Sequence, residues 1–149
     1  MTVLIRDATV DDADALTMLL DVLGYPADPP TVRARLEALR TADPMGRVIV
    51  AVAGTEVVGF ATLHCTPVLH RPTAVGRITG VAVKAGAQGS GVGRELLRAA
   101  ESYFESLGLL RVEVTSGPSH LPAHLFYRRY GYVDQGVRFA KTLDGGAQL

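Results

Sequence analysis

The chain has 149 residues, with 15 lysines and arginines against 15 aspartates and glutamates, and a single cysteine. That length suits one domain, which buries roughly 70% of its unfolded surface. Balanced charge excludes the basic field that recruits nucleic acid or an anionic membrane, and one cysteine excludes an intramolecular disulfide and every multi-cysteine metal site.

The opening Met1-Thr2-Val3-Leu4-Ile5-Arg6 lacks the features of a secretory signal, and no later run reaches the roughly 20 apolar residues of a membrane span. A cytoplasmic protein is expected. Val3-Leu4-Ile5 suits a strand, and Thr9 to Asp12 resembles a capping box opening a helix. Leu16, Leu19, Leu20 and Leu23 recur at helical spacing until Gly24, a fitting terminator. Pro26, Pro29 and Pro30 break the chain, and Thr31 is the expected cap of a second helix bearing Val32, Leu36 and Leu39. The runs 47–52 and 57–64 read as a hairpin of buried strands, with Cys65 next to them as an inert thiol.

A loop with Pro67 and Pro72 leads to a strand at 76–83. The following helix carries Val92, Leu96, Ala100, Tyr103, Phe104 and Leu107 on one stripe and ends at Gly108. A strand at 110–115, a turn at Ser116-Gly117-Pro118 and a short helix at about 121–130 follow. Two antiparallel strands, 132–133 and 137–143, are expected to close the fold, and 144–149 to fray. The order β-α-α-β-β-β-α-β-α-β-β, with no repeat or linker, predicts a single α/β domain over 1–149. Its central mixed sheet is flanked by helices, and the strands either side of the long helix run parallel.

Between strand 76–83 and that helix lie Gly86, Gly89, Gly91 and Gly93. A glycine loop opening a helix presents unpaired amides and the positive end of the helix dipole, which suits a phosphate or pyrophosphate. The spacing fails the dinucleotide pattern, because Arg94 stands where its last glycine should be; it also fails the P-loop, and Gln88 spoils the nucleophile elbow. What remains is Gln88-x-x-Gly91-x-Gly93 after a strand, which an ordinary glycine-rich turn also explains. Ligands gather at the carboxyl ends of parallel strands, so the loop 84–93 and the segment 116–127 are expected around one cleft.

A second motif is Ala123-x-x-Phe126-Tyr127-x-x-x-Gly131-Tyr132. Correctly ordered after Gln88-x-x-Gly91-x-Gly93, it resembles the GNAT acetyltransferase superfamily, and the resemblance extends over essentially the whole chain. It implies acetyl-CoA as co-substrate. The pyrophosphate would lie on the backbone of Gln88, Gly89, Ser90, Gly91, Val92 and Gly93, with Arg94 next in line, and the pantetheine arm beside Val81, Ala82 and Val83. Tyr127 matches the family tyrosine near the thioester sulfur, where a phenol stabilises or protonates the leaving thiolate.

Two departures from the family pattern stand out. His120 falls where many members have an asparagine that contacts the pantetheine arm. Thr79 occupies the fourth-strand place of a carboxylate that often serves as general base. Glu113, His120, His64 and His70 are therefore the candidate bases. His120 and His124 have no third ligand nearby, so no metal is expected. The resemblance implies an N-acetyltransferase whose primary amine acceptor attacks the thioester directly in a ternary complex. The alternative is a non-catalytic CoA-binding regulatory module. The acceptor is not readable, and apolar strands near the C-terminus permit a homodimer.

Overall fold

A computed structural model describes residues 2–115 and 121–143. Two compact units divide the chain, Met1–Thr115 and Ser116–Leu149. The first unit is built on five strands in spatial order β1 (Leu4–Asp7), β2 (Arg47–Ala53), β3 (Glu56–Thr66), β4 (Val75–Val83) and β5 (Val112–Val114). Neighbours are antiparallel as far as β4, and β5 runs parallel to β4. Mixed α/β architecture and the parallel β4–β5 pair agree with the sequence reading, although β5 is shorter than the expected 110–115.

Alternation along β3 directs successive side chains to opposite faces. Phe60 joins Val50 and Ala82 under Leu16 and Leu19 of α1 (Ala13–Leu23) and Val32 of α2 (Pro29–Ala42). On the opposite face, α3 (Val92–Ser106) comes so near that a Cβ on Gly59 would lie 3.1 Å from Val92 and 3.2 Å from Leu96. Gly76 is tighter, since a Cβ there would stand 2.6 Å from the ring of fully buried Phe104. The sheet is thus covered on both faces.

Helix ends follow local chemistry. After α1, Gly24 takes φ 97°, and the amides of Gly24 and Tyr25 return to Asp21 and Leu20. This is a Schellman closure. The cap of α2 is Asp28 and not the expected Thr31. The Asp28 carboxylate accepts from the Thr31 amide at 2.8 Å, and Pro29 and Pro30 fill first-turn positions whose N–H groups have no helical partner anyway. Before α1, the Thr9 amide donates to buried Asp12, whose carboxylate is also clamped by the two terminal Arg6 nitrogens at 2.8 and 2.9 Å.

The second unit contributes α4 (Leu121–Arg129), as expected, but residues 132–143 form no strand. The expected terminal strands are therefore corrected. Val133, Val137, Phe139 and Leu143 are 73%, 79%, 91% and 91% exposed, so the alternating pattern buries no face. A lone hairpin without a covered face is marginal in water.

Candidate functional site

β4 is the spine of the site. Its register with β3 runs Thr62 opposite Gly80 and then Leu63 opposite Ile78, so Thr79 is the extra residue of a β-bulge. A bulge bends its strand and re-aims side chains. At the bulge Ile78 is buried while Thr79 is exposed. The same point marks the end of pairing with β5, which meets only Gly76, Arg77 and Ile78. Beyond it, Val81, Ala82 and Val83 pair with Ala61, Phe60 and Gly59 on one side, and no strand among the described residues pairs with them on the other.

The chain then turns through residues 85–87, pinned by buried Ala87, into the glycine loop. Gly89 and Gly91 adopt φ 79° and 91°, a left-handed backbone that L side chains rarely take. Gln88 donates from its side-chain amide to the Val83 carbonyl at 3.1 Å, and the Ser90 hydroxyl donates to the Ala87 carbonyl. Both side chains thereby brace the loop. Gly91 caps α3 without a side chain, and the first ladder bond is from the Glu95 amide to the Gly91 carbonyl at 3.1 Å. The amides of Val92, Gly93 and Arg94 precede that ladder, at the positive end of a 15-residue helix. This geometry suits a diphosphate.

Near the bulge, His64 joins two groups that the sequence reading had not connected. Its Nδ1 lies 3.0 Å from Asp43 Oδ2, and its Nε2 lies 2.9 Å from Thr79 Oγ1. Asp43 is carried by a turn after α2 in which Pro44 follows it and the Gly46 amide donates back to the Asp43 carbonyl at 2.9 Å. A cavity of about 120 Å³ beside this turn is lined in part by Thr9, Leu36, Leu39, Asp43, Thr62 and His64. Asp43 was missed because 21 residues separate it from His64; the only sequence signal was Asp-Pro-x-Gly after a helix.

Of the other candidate bases, Glu113 on β5 accepts from Arg111 Nε at 2.7 Å, and that bond holds its carboxyl below the ordinary value. Such a carboxylate is a weakened base. His120 lies outside the described residues. Cys65 is half-buried, and desolvation together with Asp43 raises its thiol pKa, which agrees with an inert role. No cluster of metal-ligating side chains occurs among the described residues.

In the second unit, α4 carries Tyr127. Gly131 takes φ 93°, and the amides of Gly131 and Tyr132 return to Arg128 and Tyr127 in another Schellman closure. Tyr132 is thereby folded onto Tyr127, with ring centroids 5.9 Å apart at 70°, while Phe126 lies 5.4 Å from Tyr127 at 78°. These edge-to-face contacts hold the ring. Desolvation raises the Tyr127 phenol pKa, so it stays protonated at neutral pH.

Comparison with known proteins converges with this geometry. An aminoalkylphosphonate N-acetyltransferase of Salmonella typhimurium LT2 is 31% identical over 140 residues, covering 93% of this chain and 90% of its own. An aminoglycoside N(6')-acetyltransferase type 1 of Stenotrophomonas maltophilia is 35% identical, covering 96% and 95%. A crystal structure of a transcriptional regulator from Bacillus halodurans C-125 superposes with a TM-score of 0.82 over 94% of this chain and all of its own; at 24% identity it speaks for the fold alone. The model of the acetyltransferase (GNAT) family matches residues 13–132, from the first helix through Tyr132 and across both units. With that much of the chain matched, and relatives above 30% identity over nearly its whole length, the chain belongs to the acetyltransferase (GNAT) family of acyltransferases.

Proposed function

We propose that this protein is an acetyl-CoA-dependent N-acetyltransferase, moving an acetyl group to a primary amine by direct attack in a ternary complex. The observation that carries the reading is the loop 88–93. It sets the amides of Val92, Gly93 and Arg94 at the start of α3, ahead of its hydrogen-bond ladder, one short turn after a strand whose far edge pairs with no strand among the described residues. The amides take the pyrophosphate, and the open edge at Val81 to Val83 takes the amide-bearing pantetheine arm as a strand would be taken. The amine nitrogen attacks the thioester carbonyl, the C–N bond forms, the C–S bond breaks, and CoA departs as a thiolate. Tyr127, kept protonated by desolvation, is the donor to that sulfur. His120 is a candidate for the pantetheine arm or for the base, and Glu113, tied to Arg111, is a weaker candidate base.

The family match over residues 13–132 runs across both units and supports the reading of one catalytic domain over 1–149; a cytoplasmic enzyme that can form a homodimer is part of the same proposal. No helix among the described residues is long and apolar enough to cross a membrane. The acceptor panel follows from the relatives' names: 2-aminoethylphosphonate for the phosphonate class and kanamycin for the aminoglycosides. Thiol release from acetyl-CoA above the acceptor-free rate is expected with an amine in a panel built outward from these two. Thermal stabilisation by acetyl-CoA with no turnover across the panel favours the non-catalytic module. Neither stabilisation nor turnover removes CoA from the account.

A further inference from the structure

We propose that Asp43, His64 and Thr79 form a proton relay that serves as the general base of the reaction, in place of a carboxylate on β4. The inference rests on the acetyltransferase reading and adds the identity of the base. An ionised carboxylate only accepts hydrogen bonds, so the 3.0 Å contact with Asp43 places the proton of the neutral imidazole on Nδ1. Nε2 is then the acceptor, and at 2.9 Å it takes the hydroxyl proton of Thr79. The three groups read in one direction. Asp43 orients and polarises the ring, and Thr79, donating to Nε2, keeps its oxygen lone pairs to accept a proton.

Location supports use of this chain of bonds. Thr79 is the bulged residue of β4 and is exposed, at the point where pairing with β5 stops and the open edge begins. Asp43 and His64 are half-buried, their side chains 21% and 23% exposed, so the pair is sheltered while the hydroxyl is not. Gly46 permits the arrangement, because a Cβ there would lie 2.5 Å from Asp43 Oδ2. Among the described residues, the other charged groups around His64 are Arg77, its register partner on β4, and Asp7, Arg40 and Arg47 on the cavity wall shared with it. Asp7 is already paired with Arg47 at 2.6 Å, which leaves Asp43 as the anion bonded to the ring.

The proton balance is as follows. The ammonium acceptor passes one proton to Thr79 Oγ1 while Thr79 passes its own to His64 Nε2, giving a neutral amine and an imidazolium stabilised by Asp43. The amine attacks the thioester carbonyl; its remaining excess proton accounts for the one gained by the CoA sulfur, and His64 returns its proton to water. Thr79 is the group that touches substrate, His64 is the base acting through it, and Asp43 is a positioning residue.

Two measurements test the relay with kanamycin and 2-aminoethylphosphonate as acceptors. His64→Gln should lower kcat by about 100-fold and abolish the acid-side fall of the rate profile, within the usual contribution of a general base. Thr79→Val should lose a comparable factor, while Thr79→Ser, which keeps the hydroxyl, should retain activity within a few-fold. A purely packing role predicts no such split. Independently of turnover, the ¹⁵N spectrum of labelled protein should show His64 with its proton on Nδ1, and Asp43→Asn should remove that preference while the fold, checked by circular dichroism, persists. A wild-type profile retained in His64→Gln, equal rates for Thr79→Val and Thr79→Ser, or a His64 tautomer indifferent to Asp43→Asn overturns the relay and leaves the acetyltransferase reading standing. Absence of wild-type turnover across the panel overturns both.

Discussion

Replacing Gly46 with alanine tests how closely the relay is held by backbone packing. A Cβ at this position would lie 2.5 Å from Asp43 Oδ2, 2.8 Å from its Cγ and 2.8 Å from the Leu63 carbonyl oxygen. The carboxylate can swing aside, but the carbonyl belongs to β3, between its ladders with β2 and β4, and cannot. Overpacking of this kind costs about 1–3 kcal/mol. Swinging Asp43 away also forfeits its bond to His64, adding about 1 kcal/mol for a half-buried pair. A total near ~3 kcal/mol corresponds to a fall in Tm of about 6–12 °C for a chain of this size. Thermal melts should be run on Gly46→Ala, Asp43→Ala and the double variant. Because Asp43→Ala removes the nearest obstacle, Gly46→Ala should cost about 1 kcal/mol less in that background. Strictly additive costs, or a single variant as stable as wild type, would refute the reasoning.

On the opposite face of the sheet, Gly76→Ala drives a methyl into the Phe104 ring at 2.6–2.8 Å and should cost about 1–3 kcal/mol in a denaturant melt, with Phe104→Leu recovering part of it. Tyr127→Phe removes the phenol but keeps the ring packed between Phe126 and Tyr132; turnover should fall about 10–100-fold with little change in acetyl-CoA affinity, and an unchanged kcat removes its role as donor. The Arg6 clamp lowers the Asp12 carboxyl pKa. Its contribution is therefore present above the ordinary carboxylate range and is lost as pH falls through the depressed folded value. Asp12→Asn should accordingly be about 2 kcal/mol less stable than wild type at neutral pH, with the gap in Tm closing in acid.

Local chemistry made most of the fold readable. Gly24 and Gly108 stop their helices through left-handed residues and short return bonds that involve only the preceding turn, so periodicity followed by glycine was enough. The cap of α2 was misplaced by three residues because Asp28 and Thr31 are both good capping residues; the Asp28 carboxylate accepting from the Thr31 amide decided it. Residues 132–143 show the opposite limit. Their alternation is a strand pattern, yet a strand needs a partner and a face to bury, and neither is encoded in the segment itself.

The same distinction separates the two halves of the candidate site. Gln88 to Gly93 is a local device, since left-handed glycines, two bracing side chains and a helix start all fall within a few residues. The base is a long-range device. Asp43 comes from the turn after α2, His64 from β3 and Thr79 from β4, and they meet only in the folded sheet, where His64 lies opposite Arg77, two residues before Thr79 on β4. Position by position, Thr79 reads as a lost carboxylate and therefore as a reason to doubt catalysis. In three dimensions the carboxylate is present, two hydrogen bonds away, and the threonine is its outlet. A residue-by-residue comparison would discard an enzyme that moved its charge onto another element, so a fourth-strand threonine should prompt a search for a histidine across the ladder before activity is denied.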